Sequence, residues 1–463
     1  MGRICLRTSI AFPFGSRYNK EEYRNNCGKV CPNVKRTGQN RPESYREAMM
    51  NYRFSTKVPK EEYDEFLMHV PMVPYGQRPE WGVAKSFWRP ALCGLYRDDK
   101  LVAASQLLTR DLPMGFKIIY ATRGFLLDYT DKEVLHRFTE GAREYAKSQK
   151  AFCIKIDPFI LNNDHWGVDP APIFENLKAE GYLHQGFGVT LYDYFMPRFQ
   201  MAVRLTDENR QPLDPKALLK SFRKDARATI GNYQKNRGVF FEKAGPEDDL
   251  SEFARMVACT EERQNVVLRN AEYFRGIKKA FGDKMDVYYG RLDLDKYIAF
   301  TQAAIDKGQN VEKNTANLEE AKKAKEERGQ IVTLCGGLFL LPPKGEGYRF
   351  AEYLYAGNDL SLFPRLSTSN GMLYAAMCDF IEAGYDYCNL GGVEGSMDTP
   401  LYEFKQKFSP EMLELIGEFD LVVRPVQYHL FTKYLPAMRK VMQKVRRTSR
   451  KLSRAKQKDH QEG

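Results

Sequence analysis

Met372-Leu-Tyr-Ala-Ala-Met-Cys-Asp-Phe-Ile-Glu-Ala-Gly-Tyr-Asp-Tyr-Cys-Asn-Leu390 reads as a helix, a stop and a strand in direct succession. Apolar residues recur at helical spacing up to Ala383, Gly384 supplies the stop, and Tyr385 to Leu390 form a short aromatic strand. The same order occurs upstream. A helix over Lys132 to Gln149 sets Val134, Leu135, Phe138 and Ala142 on one stripe, carries Gly141 inside at some cost, and precedes a strand over Ala151 to Asp157. Two copies of one helix, turn and strand unit suggest a duplicated domain, although one shared pattern leaves that open.

Outward from these units, the chain past residue 50 alternates short strands with amphipathic helices, an α/β or α+β arrangement. Further strands are expected at Ala91 to Tyr96, Leu101 to Leu108, Lys117 to Ala121 and Phe152 to Ile156. Between the copies, Asp293 to Gly329 differs in composition and reads as a helical hairpin. Leu294, Ile298 and Ile305 space one stripe, Gly308 and Gln309 supply the turn, and Val311, Leu318 and Ala321 begin the return. Its near-balanced charge fits a solvated arm or a tRNA-contacting one.

The formal charge of +11 is unevenly spread. Roughly eleven Lys and Arg lie between Lys433 and Lys458 with no acid among them, and the first fifty residues add roughly +6. The body between is slightly acidic, so it cannot hold phosphate by bulk charge and must use a few placed residues. Met1 to Gln39 lacks the apolar core of a signal peptide and is expected to be a disordered leader, with Met49 or Met50 an alternative translation start. No run approaches the roughly eighteen apolar residues of a membrane span. Nine Cys without paired spacing read as reduced thiols in the cytoplasm. Tyr428 to Leu452 reads as a basic amphipathic helix, suited to an anionic membrane surface, to tRNA phosphate, or to solvent as a tail.

Several chemistries are unsupported. The six His are dispersed, so no metal site is expected, and Cys27 with Cys31 lacks His partners. Neither Gly186-Phe-Gly188 nor Gly345-Glu-Gly347 extends into a dinucleotide fingerprint, and GxxxxGK[ST] and GxSxG are both missing. Transfer chemistry without metal, bound nucleotide or covalent nucleophile remains.

Four linked motifs narrow it. Tyr353-Leu-Tyr-Ala-Gly357, Asn389-Leu-Gly-Gly-Val-Glu-Gly395, Leu401-Tyr-Glu-Phe-Lys-Gln-Lys-Phe408 and Gly417-Glu-Phe-Asp420 resemble the FemABX family in order and spacing. So do Gln77 with Trp81 and Lys85, Tyr120 to Asp128 around Arg123-Gly124, Lys155-Ile-Asp-Pro158, and Ser221-Phe-Arg-Lys-Asp-Ala-Arg227 followed by Arg269 and Tyr273. The resemblance spans about residues 52 to 440.

That resemblance implies an α+β fold: two tandem acetyltransferase-like (GNAT) domains with an inserted antiparallel helical-hairpin arm. The expected layout is a leader over 1–50, a first domain over 51–194 completed by 418–440, and a second domain over 195–417. A coiled-coil arm occupies 291–329 within it, and a basic tail 441–463 follows. The implied activity is aminoacyl transfer from aminoacyl-tRNA to the side-chain amine of the third stem-peptide residue of a peptidoglycan precursor. That precursor is lipid II or UDP-MurNAc-pentapeptide; the arm and basic helix favour lipid II and a peripheral position on the inner membrane face. No cofactor is implied, and a homo- or hetero-dimer stays open.

The family's functional residues map onto this chain as follows. Lys405, with the backbone of Phe404, would stabilise the oxyanion that develops as the ester is attacked. Lys85 and Arg269 would hold phosphates from opposite walls of a cleft, with Trp81, Tyr273 and Tyr355 around the precursor. The i, i+4 spacing would put Arg269 and Tyr273 on one face if their segment is helical. Asp164 would lie near the incoming amine as a general base, and Phe159 departs from the tyrosine expected there. The rival readings are an acyl-CoA-dependent N-acetyltransferase, which the missing pyrophosphate-loop motif disfavours, and a non-catalytic tRNA- or membrane-binding protein.

Overall fold

The computed structural model describes residues 51–163, 168–191, 193–233, 238–264, 269–343 and 345–433. The leader, the tail from residue 434 and the candidate base Asp164 lie outside the described residues.

Fourteen strands among the described residues form two seven-stranded sheets. In chain order they are β1 (Tyr52–Ser55), β2 (Arg89–Arg97), β3 (Lys100–Asp111), β4 (Lys117–Ala121), β5 (Cys153–Ile156), β6 (Tyr182–His184) and β7 (Phe199–Arg204). Then follow β8 (Val239–Lys243), β9 (Met285–Asp293), β10 (Ile331–Leu340), β11 (Phe350–Asn358), β12 (Tyr387–Val393), β13 (Glu411–Glu414) and β14 (Phe419–Val422). The sheet orders are β1-β2-β3-β4-β5-β14-β6 and β13-β7-β12-β11-β10-β9-β8.

The two sheets repeat one plan. Four antiparallel strands meet a fifth in parallel, β4 with β5 and β11 with β12, and two antiparallel strands close each sheet. A parallel neighbour needs a crossover. Lys132–Ser148 and Thr368–Glu382 are those crossovers, the two helices read from the sequence. Val134, Leu135, Phe138 and Ala142 are buried as their spacing requires. The closing strands are exchanged: β7 leaves the first half to lie beside β12, and β14 returns from the second half to fill the gap between β5 and β6. The helix over 425–433 follows it, and its Tyr428 and Phe431 cover Phe152.

The arm is two helices, Leu294–Asp306 and Val311–Arg328, packed on each other. It leaves from β9 and returns into β10, whose Ile331 pairs with Asp293, so the sheet closes beneath it. Its lower half is buried, through Thr301 on one helix and Leu318 on the other, and at its base Leu294, Tyr297, Ala321 and Ala324 pack with Phe363.

Candidate functional site

The phosphate-binding candidates converge across the seam between the two sheets. A 3-10 turn at Tyr75–Gln77 and the short helix Pro79–Ala84 carry Trp81 and lead into Lys85. Buried Gln77 fixes this segment, giving its amide to Thr122 O at 2.7 Å and accepting from Gln106 N at 2.9 Å. Gly82 lets it lie flat, since a Cβ there would meet Gln106 Oε1 at 2.2 Å. Arg78 donates to Leu341 O at 2.5 Å, and Glu80 accepts from Lys284 at 2.5 Å, so the first half's segment is tied to the second half.

Lys85 Nζ therefore reaches the second half. It donates to the Tyr273 hydroxyl at 2.7 Å and lies 3.9 Å from the Trp81 ring centroid. Tyr273 is also 3.2 Å, hydroxyl to hydroxyl, from Tyr355 on β11. Arg269 stands 4.9 Å over the Tyr273 ring. It does so from outside the helix: Asn270 caps Ala271–Phe281, so the shared-helix-face condition is not met and the contact comes from the approach to the cap. Burial and then the neighbouring Arg269 charge push Lys85 down to about 7. Two cations held together this way want an anion between them. Tyr75, which the motifs did not single out, meets Trp81 edge-on at 4.7 Å.

Lys405 occupies a second position on the same strand system. β11 and β12 pair only at Phe350↔Tyr387, Ala351↔Cys388 and Glu352↔Asn389; beyond that β11 keeps β10 and β12 keeps β7. A wedge opens between them. Thr399 caps the helix Pro400–Lys405 and Pro400 starts it, which aims its last residue into the wedge. Lys405 is 6% exposed and donates to Gly392 O at 2.8 Å. Gly391 takes φ 82°, which a side chain would strain, and lies between Lys405 and β11: its Cβ position is 3.7 Å from Lys405 Nζ and 3.5 Å from Tyr353 O. Burial lowers the Lys405 ammonium to about 7. Lys405 thus bonds the β12 side of the wedge, while β11, its other edge, carries Tyr355 of the clamp.

Beside Phe404 a cavity of about 200 Å³ is lined by Asn358, Phe363, Ser367, Thr368 and Lys407. Phe159 is buried against Phe350, with Arg123 near its ring. Among the described residues no group of three His, Cys, Asp or Glu could hold a metal, and no helix is long and apolar enough to cross a membrane.

Comparison with known proteins bears on the family and the fold. The model of the FemAB family matches residues 58–317 and 306–435. A lipid II:glycine glycyltransferase of Staphylococcus aureus (strain MRSA252) is 28% identical over 437 residues, covering 86% of this chain and 99% of its own. The crystal structure of FemX superposes with a TM-score of 0.68 at 25% identity, over 82% of this chain and 99% of that one. The two halves are acetyltransferase-like domains in tandem, with the helical hairpin inserted in the second.

Proposed function

The chain belongs to the FemAB family, and from that premise we propose that it is an aminoacyltransferase that builds the peptidoglycan interpeptide bridge. In this reading it moves an amino acid from aminoacyl-tRNA to the side-chain amine of the third stem-peptide residue of lipid II. One observation carries the reading: the buried Lys405 side chain stands in the β11–β12 wedge, bonded to Gly392 on β12, and β11, the other edge of the wedge, supplies Tyr355 to the Lys85, Tyr273 and Arg269 cluster. In this reading the acceptor's phosphates and the developing oxyanion would be met from the two edges of one wedge.

Each group then has a task. Lys85 and Arg269 grip the acceptor's phosphates, and Tyr273 and Tyr355 orient them. Lys405 and the backbone of Phe404 stabilise the charge on the carbonyl oxygen as the C–N bond forms and the ester C–O bond breaks. The cavity beside Phe404 and Lys407 suits the end of the donor. Lipid II is favoured over UDP-MurNAc-pentapeptide because Val83 and Phe87, 71% and 83% exposed, flank Lys85 as apolar tips suited to a membrane surface. The protein would then act as a peripheral enzyme on the inner leaflet.

Incubation with lipid II and a pool of charged tRNAs should add one amino acid to lipid II, read by mass spectrometry. Lys405→Met should lower the rate at least about 100-fold, as loss of an oxyanion donor does, with circular dichroism unchanged. No mass gain with any charged tRNA would overturn the proposal.

A further inference from the structure

Glu352 stands at the apex of the wedge, the last β11 residue paired with β12 before the strands part. It is the sole acid of Phe350–Asn358 and is 9% exposed. Burial raises its carboxyl, and the Arg123 charge and then the Asn389 side chain oppose that rise. Arg123 is already engaged: its backbone N–H donates to Asp157 at 2.6 Å, its Nη1 is 3.2 Å from the same carboxylate, and its Nη2 donates to Pro197 O at 3.0 Å.

One guanidinium thus serves two buried carboxylates. Nearby, Lys155 serves two more, Glu418 at 2.9 Å and Asp420 at 2.6 Å. This interior is short of positive charge, a costly state for buried acids. Burial accordingly pushes Asp157 up to about 7 and Glu352 up to about 8, with Arg123 opposing both. Tyr120, 5% exposed, lies in the field of both Asp157 and Glu418. Tyr75, whose hydroxyl feels Arg123, Glu352, Tyr355 and Asp157, joins this cluster to the Lys85 clamp.

We propose that Glu352, backed by Arg123 and Asp157, is the subsite that receives the acceptor's primary ammonium and takes its first proton. This rests on the aminoacyl-transfer reading of the same wedge. The cation supplies the charge that the cluster lacks: as the ammonium binds, the neutral Glu352 acid loses its proton to solvent, and the carboxylate so formed then takes one proton from the ammonium. The freed amine attacks the ester carbon near Lys405, and its second proton ends on the departing ribose oxygen. Glu352 is left as the acid it was at rest, so each turnover releases one proton, the one lost on binding.

The test compares lipid II with an analogue whose third-residue side-chain amine is replaced by methyl, each titrated against the full chain. Wild-type protein should bind lipid II at least about 10-fold tighter, as for a hydrogen bond to a charged group. Glu352→Gln should bind the two lipids alike and lose about 100-fold or more in kcat, with KM for aminoacyl-tRNA unchanged. Equal binding of the two lipids by wild type overturns the subsite even where the variant does not fold. Wild-type turnover in Glu352→Gln overturns the proton transfer. Failure of the wild type to modify lipid II would instead sink the functional reading, and mass gain reads that separately from binding.

Discussion

Lys85 shows how one residue's environment sets what binding must do. Burial and Arg269 hold it at about 7, against an ordinary value near 10.5, so at pH 8 most Lys85 is the neutral amine. An arriving pyrophosphate favours the ammonium, and binding must take up a proton. Calorimetry of lipid II binding in buffers of different ionisation enthalpy should read an uptake approaching one proton at pH 8 and near zero at pH 5.5. Lys85→Met should abolish the uptake and weaken binding. A pH-independent proton count would mean that Lys85 does not face the phosphates. Lys85, Trp81, Arg269, Tyr273, Tyr355 and Lys405 were all nameable from motifs in the sequence. Tyr75 and Glu352 were not, although a lone acid inside the otherwise apolar Phe-Ala-Glu-Tyr-Leu-Tyr run was a signal available there.

At the scale of elements, the arm is anchored beside the cavity at Phe404, which Asp359 also lines. Asp359, immediately after β11, accepts from Arg328 at 2.9 Å on the return helix and from Arg255 at 3.0 Å. Burial alone would raise this carboxyl, but Ser361, Arg328 and Arg255 outweigh it and hold it at about 2. Its folded value is below its unfolded one. The stability it contributes is therefore complete above about pH 4 and is lost as pH falls through about 2. Asp359→Asn should cost about 2 kcal/mol at pH 7 and much less at pH 2, read by denaturant titration at both values. An equal cost at the two pH values would rule out the ion pairs as its source. The hairpin itself was legible because two helical stripes flank a Gly308-Gln309 turn. Its docking was not, because Asp359 lies thirty-one residues from Arg328 and no local pattern links them.

Over the whole molecule, the exchange of β7 and β14 makes the halves interdependent. β14 pairs with β5 through Phe419↔Ile156 and with β6 through Phe419↔His184, and Tyr428 and Phe431 then cover Phe152. A fragment of residues 51–194 lacks all of these and should show no cooperative thermal transition, whereas 51–433 should melt cooperatively. A folded 51–194 fragment would show that the exchange is dispensable. Local periodicity determined the helix and strand of each repeated unit, and the linked motifs determined the family, because both are properties of neighbours along the chain. Tertiary structure alone decided that the first half's Lys85 meets the second half's Tyr273 and that the β11–β12 wedge opens at Glu352. It also decided that two cations are shared among four buried acids. Those facts depend on which surfaces pack, and on how burial reprices charge once water is gone, and neither is a function of sequence spacing.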